Sequence, residues 1–251
     1  MKTRLITAAV LVPALFLLTL VASKWVAAVV FGILLAISGG LMDAYSYLYR
    51  GKVFANAQTG NILLFSVNLA QGNWATALQY ACPVTAFACG IALAAILRHS
   101  CSSQRTLHWR QYCVLFEALV LFGVAWIPQS ANLAANSLIS LACGAQVESF
   151  RKIAGTNVAT TMCIGNLRLA VHSAITYGFT GTFGAKMSAR ISAAMIFAFA
   201  VGAVLGNLLI KTCGTYAILC CTAILLGCFV AMFVSPNRMD DSGKEYPNES
   251  I

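Results

Sequence analysis

The chain has 251 residues, 60% of them hydrophobic and 9% charged, with a mean hydropathy of +0.81. A soluble domain carries about a quarter charged residues, so this composition excludes one; apolar residues also come in runs rather than in alternation, which excludes a transmembrane β-barrel. The net charge of +9 comes from Lys and Arg scattered in short loops between apolar runs, a pattern of membrane orientation rather than of nucleic-acid binding.

In chain order, Leu5–Ala22 is apolar behind Lys2 and Arg4 and reads as an uncleaved N-terminal helix, with a signal peptide as the alternative. Val26–Leu48 is a span carrying Asp43. Phe54–Gln71 is a shorter, polar-interrupted span carrying Gly60-Asn61, and Trp74–Leu97 is a third. A basic loop with Arg98, Arg105, His108 and Arg110 follows, then Tyr112–Ile127 with Glu117, stopped by Pro128. Leu133–Phe150 carries Glu148, and Val158–Tyr177 carries Gly165-Asn166 with Arg168 and His172. Ile191–Ile210 and Tyr216–Val234 complete the set, and the tail after Pro236 is polar and acidic, a composition expected to be disordered.

These segments repeat. Asp43 and Glu148 are 105 positions apart, as are Gly60-Asn61 and Gly165-Asn166. Ala86-Phe87-Ala88-Cys89-Gly90 resembles Ala198-Phe199-Ala200-Val201-Gly202 at an offset of 112, which leaves a seven-residue insertion in the Gly178–Ala189 loop. The expected fold is an all-α integral membrane protein of eight or nine transmembrane helices. Two tandem repeats of about four spans follow an extra N-terminal helix. The units are residues 1–24 (N-terminal helix), 25–128 (first repeat), 129–235 (second repeat) and 236–251 (tail). If the Gly-Asn segments cross fully, Arg50, Lys52, Arg151, Lys152, the Arg98–Arg110 loop and Lys211 share one side, which the positive-inside rule makes cytoplasmic. Four crossings per repeat and a parallel duplication are therefore expected. Lys186 and Arg190 fall outside in that arrangement, against the rule.

Three acidic residues lie in the apolar body, Asp43, Glu117 and Glu148, and Arg168 is the basic residue well inside a predicted span. Charge in hydrocarbon is costly and marks a functional site by default. Two readings stand. One is a structural ion pair of Arg168 with Glu148 or Asp43. The other is a proton-titrating or substrate-binding centre. Around the Gly-Asn pairs cluster Asn56, Gln58, Thr59, Thr160 and Thr161. Broken helices at matching places in two halves point to a transporter site, and ordinary packing with Asn and Thr between helices is the plainer account. The expected substrate-binding set is Asp43, Asn56, Thr59, Gly60, Asn61, Glu148, Thr160, Thr161, Gly165, Asn166 and Arg168. Glu117 and His172 are candidates for a proton relay. Gly202-x-x-x-Gly206 reads as a close-packing motif, and Trp74, Trp109 and Trp126 as interfacial anchors.

The ten cysteines lie mostly in apolar runs without zinc spacing and read as small packing residues. No His-Glu-x-x-His, Gly-x-Ser-x-Gly or Walker loop occurs, so no metal, cofactor or enzymatic activity is expected.

Three stretches together resemble a known family. They are Ser38–Leu48 leading to Val53–Asn61, then Leu107–Gln111, and Gln146–Lys152 leading to Ala159–Arg168. They are similar to the YoaK family of bacterial multi-pass membrane proteins, a domain of unknown function, over about Val26 to Val234. The resemblance implies the bacterial cytoplasmic membrane and supplies no reaction or substrate. The leading expectation for function is a secondary transporter or permease of a small solute, with its site at the repeat interface. A non-transporting membrane scaffold is the alternative, ahead of an intramembrane enzyme acting on lipid or quinone. The expected partners are the lipid bilayer and that solute, with self-association into a homo-oligomer compatible and nucleic acid not.

Overall fold

The computed structural model describes residues 24–101 and 108–234. The apolar segment before residue 24, Arg105 of the basic loop and the acidic tail lie outside the described residues. Among the described residues all regular structure is helical: α1 (Lys24–Tyr49), α2 (Gln58–Ala70), α3 (Trp74–Ser100), α4 (Trp109–Val124), α5 (Asn132–Ser149), α6 (Cys163–Thr180), α7 (Phe183–Cys213) and α8 (Leu219–Val234), with 3-10 turns before α5 and α8. Three stretches are long and apolar enough to cross a membrane: Trp25–Tyr49, Trp74–Ser100 and Phe183–Phe233, the last containing both α7 and α8. At 13 residues α2 is only about 20 Å long, short of a hydrocarbon layer of ~30 Å.

Small residues let the helices touch backbone to backbone. A Cβ added at Gly40 would strike the Phe199 carbonyl, one at Gly202 the Ile37 carbonyl, and one at Gly206 the Ala44 Cβ, so α1 lies tightly along α7. The Gly202-x-x-x-Gly206 motif packs as expected. On the other side, Gly144 meets the Phe87 carbonyl and Gly90 the Leu141 carbonyl, which joins α3 to α5 in the same manner.

Contacts fix the direction of each helix. Along α1 and α5, Arg50 pairs with Asn136, Met42 with Cys143, Leu35 with Gln146, and Phe31 with Phe150. Rising numbers on one helix meet falling numbers on the other, so α1 and α5 are antiparallel. Along α1 and α7 the numbers rise together, from Ile37 against Gly202 to Tyr49 against Gly214, so these two are parallel. The chain reverses at Gly214–Ile218, and α8 returns with Cys221 bonded to the Ser38 carbonyl.

These directions do not confirm the expected parallel duplication with four crossings per half. After α1, the chain does not continue straight onward away from the helical body. It folds back until Asn56 N–H reaches the Asp43 carboxylate, at 2.7 Å, and Asn56 Nδ2 reaches the Gly39 carbonyl, at 3.1 Å. α2 then runs back towards the end of α1, where Gln79 at the start of α3 donates to the Gly51 carbonyl. After α5 the chain does the same. Ile153 packs on Gly32, Thr161 on Gly39, and α6 starts at mid-height of the bundle before turning into α7. Hydrogen bonding supports this path: the returning segments find fixed donors and acceptors inside the bundle.

Candidate functional site

A non-helical segment inside a helical body has N–H and C=O groups with no regular pattern to satisfy them, and each one left unmade is costly. One asparagine solves this in each returning segment. Asn61, in the first turn of α2, accepts from Phe54 N–H through Oδ1 (3.1 Å) and donates to the Phe54 carbonyl through Nδ2 (2.7 Å). Asn166, in the first turn of α6, accepts from Ala159 N–H (3.1 Å) and donates to the Ala159 carbonyl (2.6 Å). Each side chain imitates a strand partner for the residue seven positions earlier. The Gly-Asn pairs therefore start helices rather than break them. Gly60 lies against the Phe54 ring, whereas Gly165 faces open space.

Both returning segments reach Gly39 at mid-height, Asn56 through a hydrogen bond to its carbonyl and Thr161 through Cγ2, which a Cβ at Gly39 would touch at 2.9 Å. Asp43, Asn56, Thr161 and Ser38 gather here from α1 and from both segments. Cys143 of α5 stands next to Asn56 and within electrostatic range of Asp43, Glu117 and Cys221. Glu117 of α4 is fully buried, and neither of its carboxyl oxygens has a partner among the described residues. Unpartnered too are the buried Ser38 and Thr161 hydroxyls, Asn56 Oδ1 and Gln146 Oε1. Thr160 accepts from Gln146 Nε2 at 3.0 Å, just beside this group.

Other expected site residues stand apart from it. Glu148 is half-buried and pairs with Arg151 at 3.3 Å, so the reading of a structural ion pair between Arg168 and Glu148 gains no support. Arg168 and His172 are exposed on α6, on a face with Ile164, Leu167, Val171 and Ile175, and Thr59 is exposed on α2. Trp74 and Trp126 are exposed near helix ends as anchors would be, but Trp109 is buried beneath Arg98 and Arg110.

Sequence reasoning missed Ser38 and Gln146, and it placed Arg50 in a loop. The signal for Ser38 was present: Ser38 and Cys143 are 105 positions apart, the offset of the repeat. Arg50 is fully buried. Its guanidinium donates to Tyr45 Oη (2.9 and 3.1 Å), the Val124 carbonyl (3.1 Å), Thr215 Oγ1 (3.1 Å) and Asn132 Oδ1 (3.4 Å). It also stacks over the Tyr45 and Tyr49 rings. One cation thus ties the ends of α1 and α4 to the start of α5 and to the turn between α7 and α8. Its planar fork of five donors suits that task as an ammonium would not.

Among the described residues no group of three or more His, Cys, Asp or Glu side chains could hold a metal ion, and the described cysteines are free thiols.

The profile of the family described as protein of unknown function (DUF1275) matches residues 31–231. The UPF0700 transmembrane protein YoaK of Bacillus subtilis (strain 168) is 25% identical over 138 residues, 53% of this chain and 61% of that protein. The chain thus spans less than two thirds of the length of the curated relative it matches. No solved structure matches.

Proposed function

Because the chain is a membrane protein that belongs to the DUF1275 family, whose description assigns no activity, we propose from its geometry that it is a secondary transporter or permease of a small solute. In this reading it is a multi-pass protein of the bacterial cytoplasmic membrane, without enzymatic activity. Its two halves are inverted repeats, residues 25–128 and 129–235. Each half has three crossing helices and one re-entrant segment with a half-length helix. Re-entrant backbone at membrane depth is tolerated where it is buried in protein or lines a cavity. Inverted repeats with discontinuous helices meeting at the midplane are a recurrent design for solute sites.

The observation that carries the reading is the approach of both returning segments to Gly39 at mid-height, among buried polar atoms that lack partners among the described residues. Support for the inverted relation comes from matched contacts. The Asn61 and Asn166 clamps have partners at corresponding positions, Phe54 and Ala159, at an offset of 105, and α1 packs on α7 as α5 packs on α3. Charge supports it too. Arg98, Arg110, Arg151, Lys152, Lys186 and Arg190 now share one end, against Lys52, Lys211 and the buried Arg50 at the other. That end is cytoplasmic by the positive-inside rule. Lys186 and Arg190, which violated the parallel arrangement, obey it in the inverted one.

The tight glycine contacts favour a second reading, a rigid membrane scaffold in which the polar residues only hold helices together. A thermal-shift screen of small solutes on purified wild type and Asp43→Asn, followed by flux assays in proteoliposomes, separates the two. The transport reading expects a solute that stabilises wild type by mass action and crosses the bilayer, with both effects lost in Asp43→Asn. Flux that is unchanged in a folded Asp43→Asn protein contradicts the site. No stabilising solute, together with a large loss of stability in the variant, favours the scaffold.

A further inference from the structure

We propose that the mid-height cluster binds a small monovalent cation, either an alkali ion or an ammonium group. The inference deepens the transport reading and rests on it. Its basis is which hydrogen-bonding groups are used and which are left. The inward-folded segments could in principle offer N–H donors to an anion, as helix N-termini do. Here several of those donors are taken. Phe54 N–H goes to Asn61, Asn56 N–H to Asp43, and Ala159 N–H to Asn166. Gln58 N–H and Gly60 N–H are bonded to the Asn56 and Ala57 carbonyls, and Asn166 N–H to Met162.

The buried side-chain atoms of the cluster left without a partner among the described residues are all oxygens. Asn56 Nδ2 donates to the Gly39 carbonyl, which fixes Asn56 Oδ1 as a free acceptor. Gln146 Nε2 donates to the Leu35 carbonyl, which does the same for Gln146 Oε1. Ser38 and Thr161 each hold an unpartnered hydroxyl oxygen, buried to more than nine-tenths. Asp43 is bonded to Asn56 within the cluster, and the buried Glu117 lies within electrostatic range of Cys143 next to it; neither carboxyl group makes an ion pair among the described residues. The nearest buried cation, Arg50, spends its donors on carbonyl, phenol, hydroxyl and amide oxygens at the end of α1. A site of carboxylate, amide and hydroxyl oxygens suits a hard cation. Without a group of three carboxylates, imidazoles or thiols, it does not suit a transition metal. Unwound segments at a midplane coordinate monovalent ions in other inverted-repeat proteins.

The test is thermal unfolding of the full-length protein in detergent. Choline chloride, whose cation has no N–H and is bulky, is replaced stepwise by sodium chloride or ammonium chloride at constant ionic strength. The expected result is a rise in Tm of about 3 °C or more at saturation with at least one of the two small cations. Thr161→Val, which removes one oxygen and keeps the shape, should weaken the response at least tenfold in concentration, as should Asp43→Asn. Ser66→Ala on the outer face of α2 should leave it unchanged. A response to sodium identifies an alkali site, and a response to ammonium a protonated amine. Equal Tm in all three salts overturns the inference, as does an equal response in wild type and Thr161→Val. Uptake of radiolabelled sodium and methylammonium by proteoliposomes separates this failure from that of the transport reading. A Tm response without uptake keeps the cation site and counts against transport.

Discussion

Residues 50–70 and residues 150–180 fold back into the helical body in the same way, yet only the first is anchored on a carboxylate. Both use an asparagine seven positions on to satisfy a strand residue at both backbone groups. In the first, Asp43 takes Asn56 N–H. In the second, Glu148 at the corresponding place turns to Arg151 at the helix end. The shared device is the one that any buried strand needs, so it belongs to folding. The unshared one breaks the match, and that is where specialisation for a ligand is expected.

This difference yields graded predictions. The largest effect is expected at the clamps. Asn61→Leu and Asn166→Leu each leave a buried N–H and C=O unsatisfied, at about 1–3 kcal/mol per group. Both should lower the unfolding temperature strongly and to similar extents, as read by thermal unfolding in detergent. A large loss for one and none for the other would break the equivalence of the two segments. Next come Gly40→Ala and Gly144→Ala, each forcing a methyl into the carbonyl of a neighbouring helix. Overpacking of this kind costs about 1–3 kcal/mol, and the two should again match. Asp43→Asn keeps an acceptor for Asn56 N–H but loses the charge, so it should cost about 1 kcal/mol in stability and most of the solute or cation response. Glu148→Gln should be the mildest. Arg151 is 58% exposed, and such screened pairs contribute roughly 0–1 kcal/mol. A Glu148→Gln variant as impaired in function as Asp43→Asn would mean that the two carboxylates do act as a pair.

Much of this was legible in the sequence. The offset of 105 picked out Asn61 and Asn166 before any geometry was known, and the helical membrane class followed from apolar runs. Direction was not legible, for a physical reason. Hydropathy reports which residues avoid water, and Val53–Ala57 avoid it whether they cross a bilayer or only dip into one. With full crossings, Lys186 and Arg190 fall on the side opposite the other loop charges; in the proposed inverted arrangement they fall on the same side. Arg50 was misread by the same logic. A lone arginine after an apolar run looks like a loop charge, and only the three-dimensional arrangement brings Tyr45, Val124, Asn132 and Thr215 to its five donors. Arg168 was overread: its place in an apolar run suggested the interior, but α6 turns that face outward.

The account stands or falls on whether residues 50–57 and 150–162 return to the side they left. Single cysteines at Lys52, Asn73, Lys152 and Gly181, placed in a background without other accessible thiols, can be labelled in intact cells with a membrane-impermeant maleimide. The inverted arrangement predicts that positions 52 and 73 label together from outside and that 152 and 181 are both protected until the membrane is opened. Labelling of 52 and 73 from opposite sides would mean that α2 crosses the bilayer. The inverted arrangement, and the site built on it, would then be wrong.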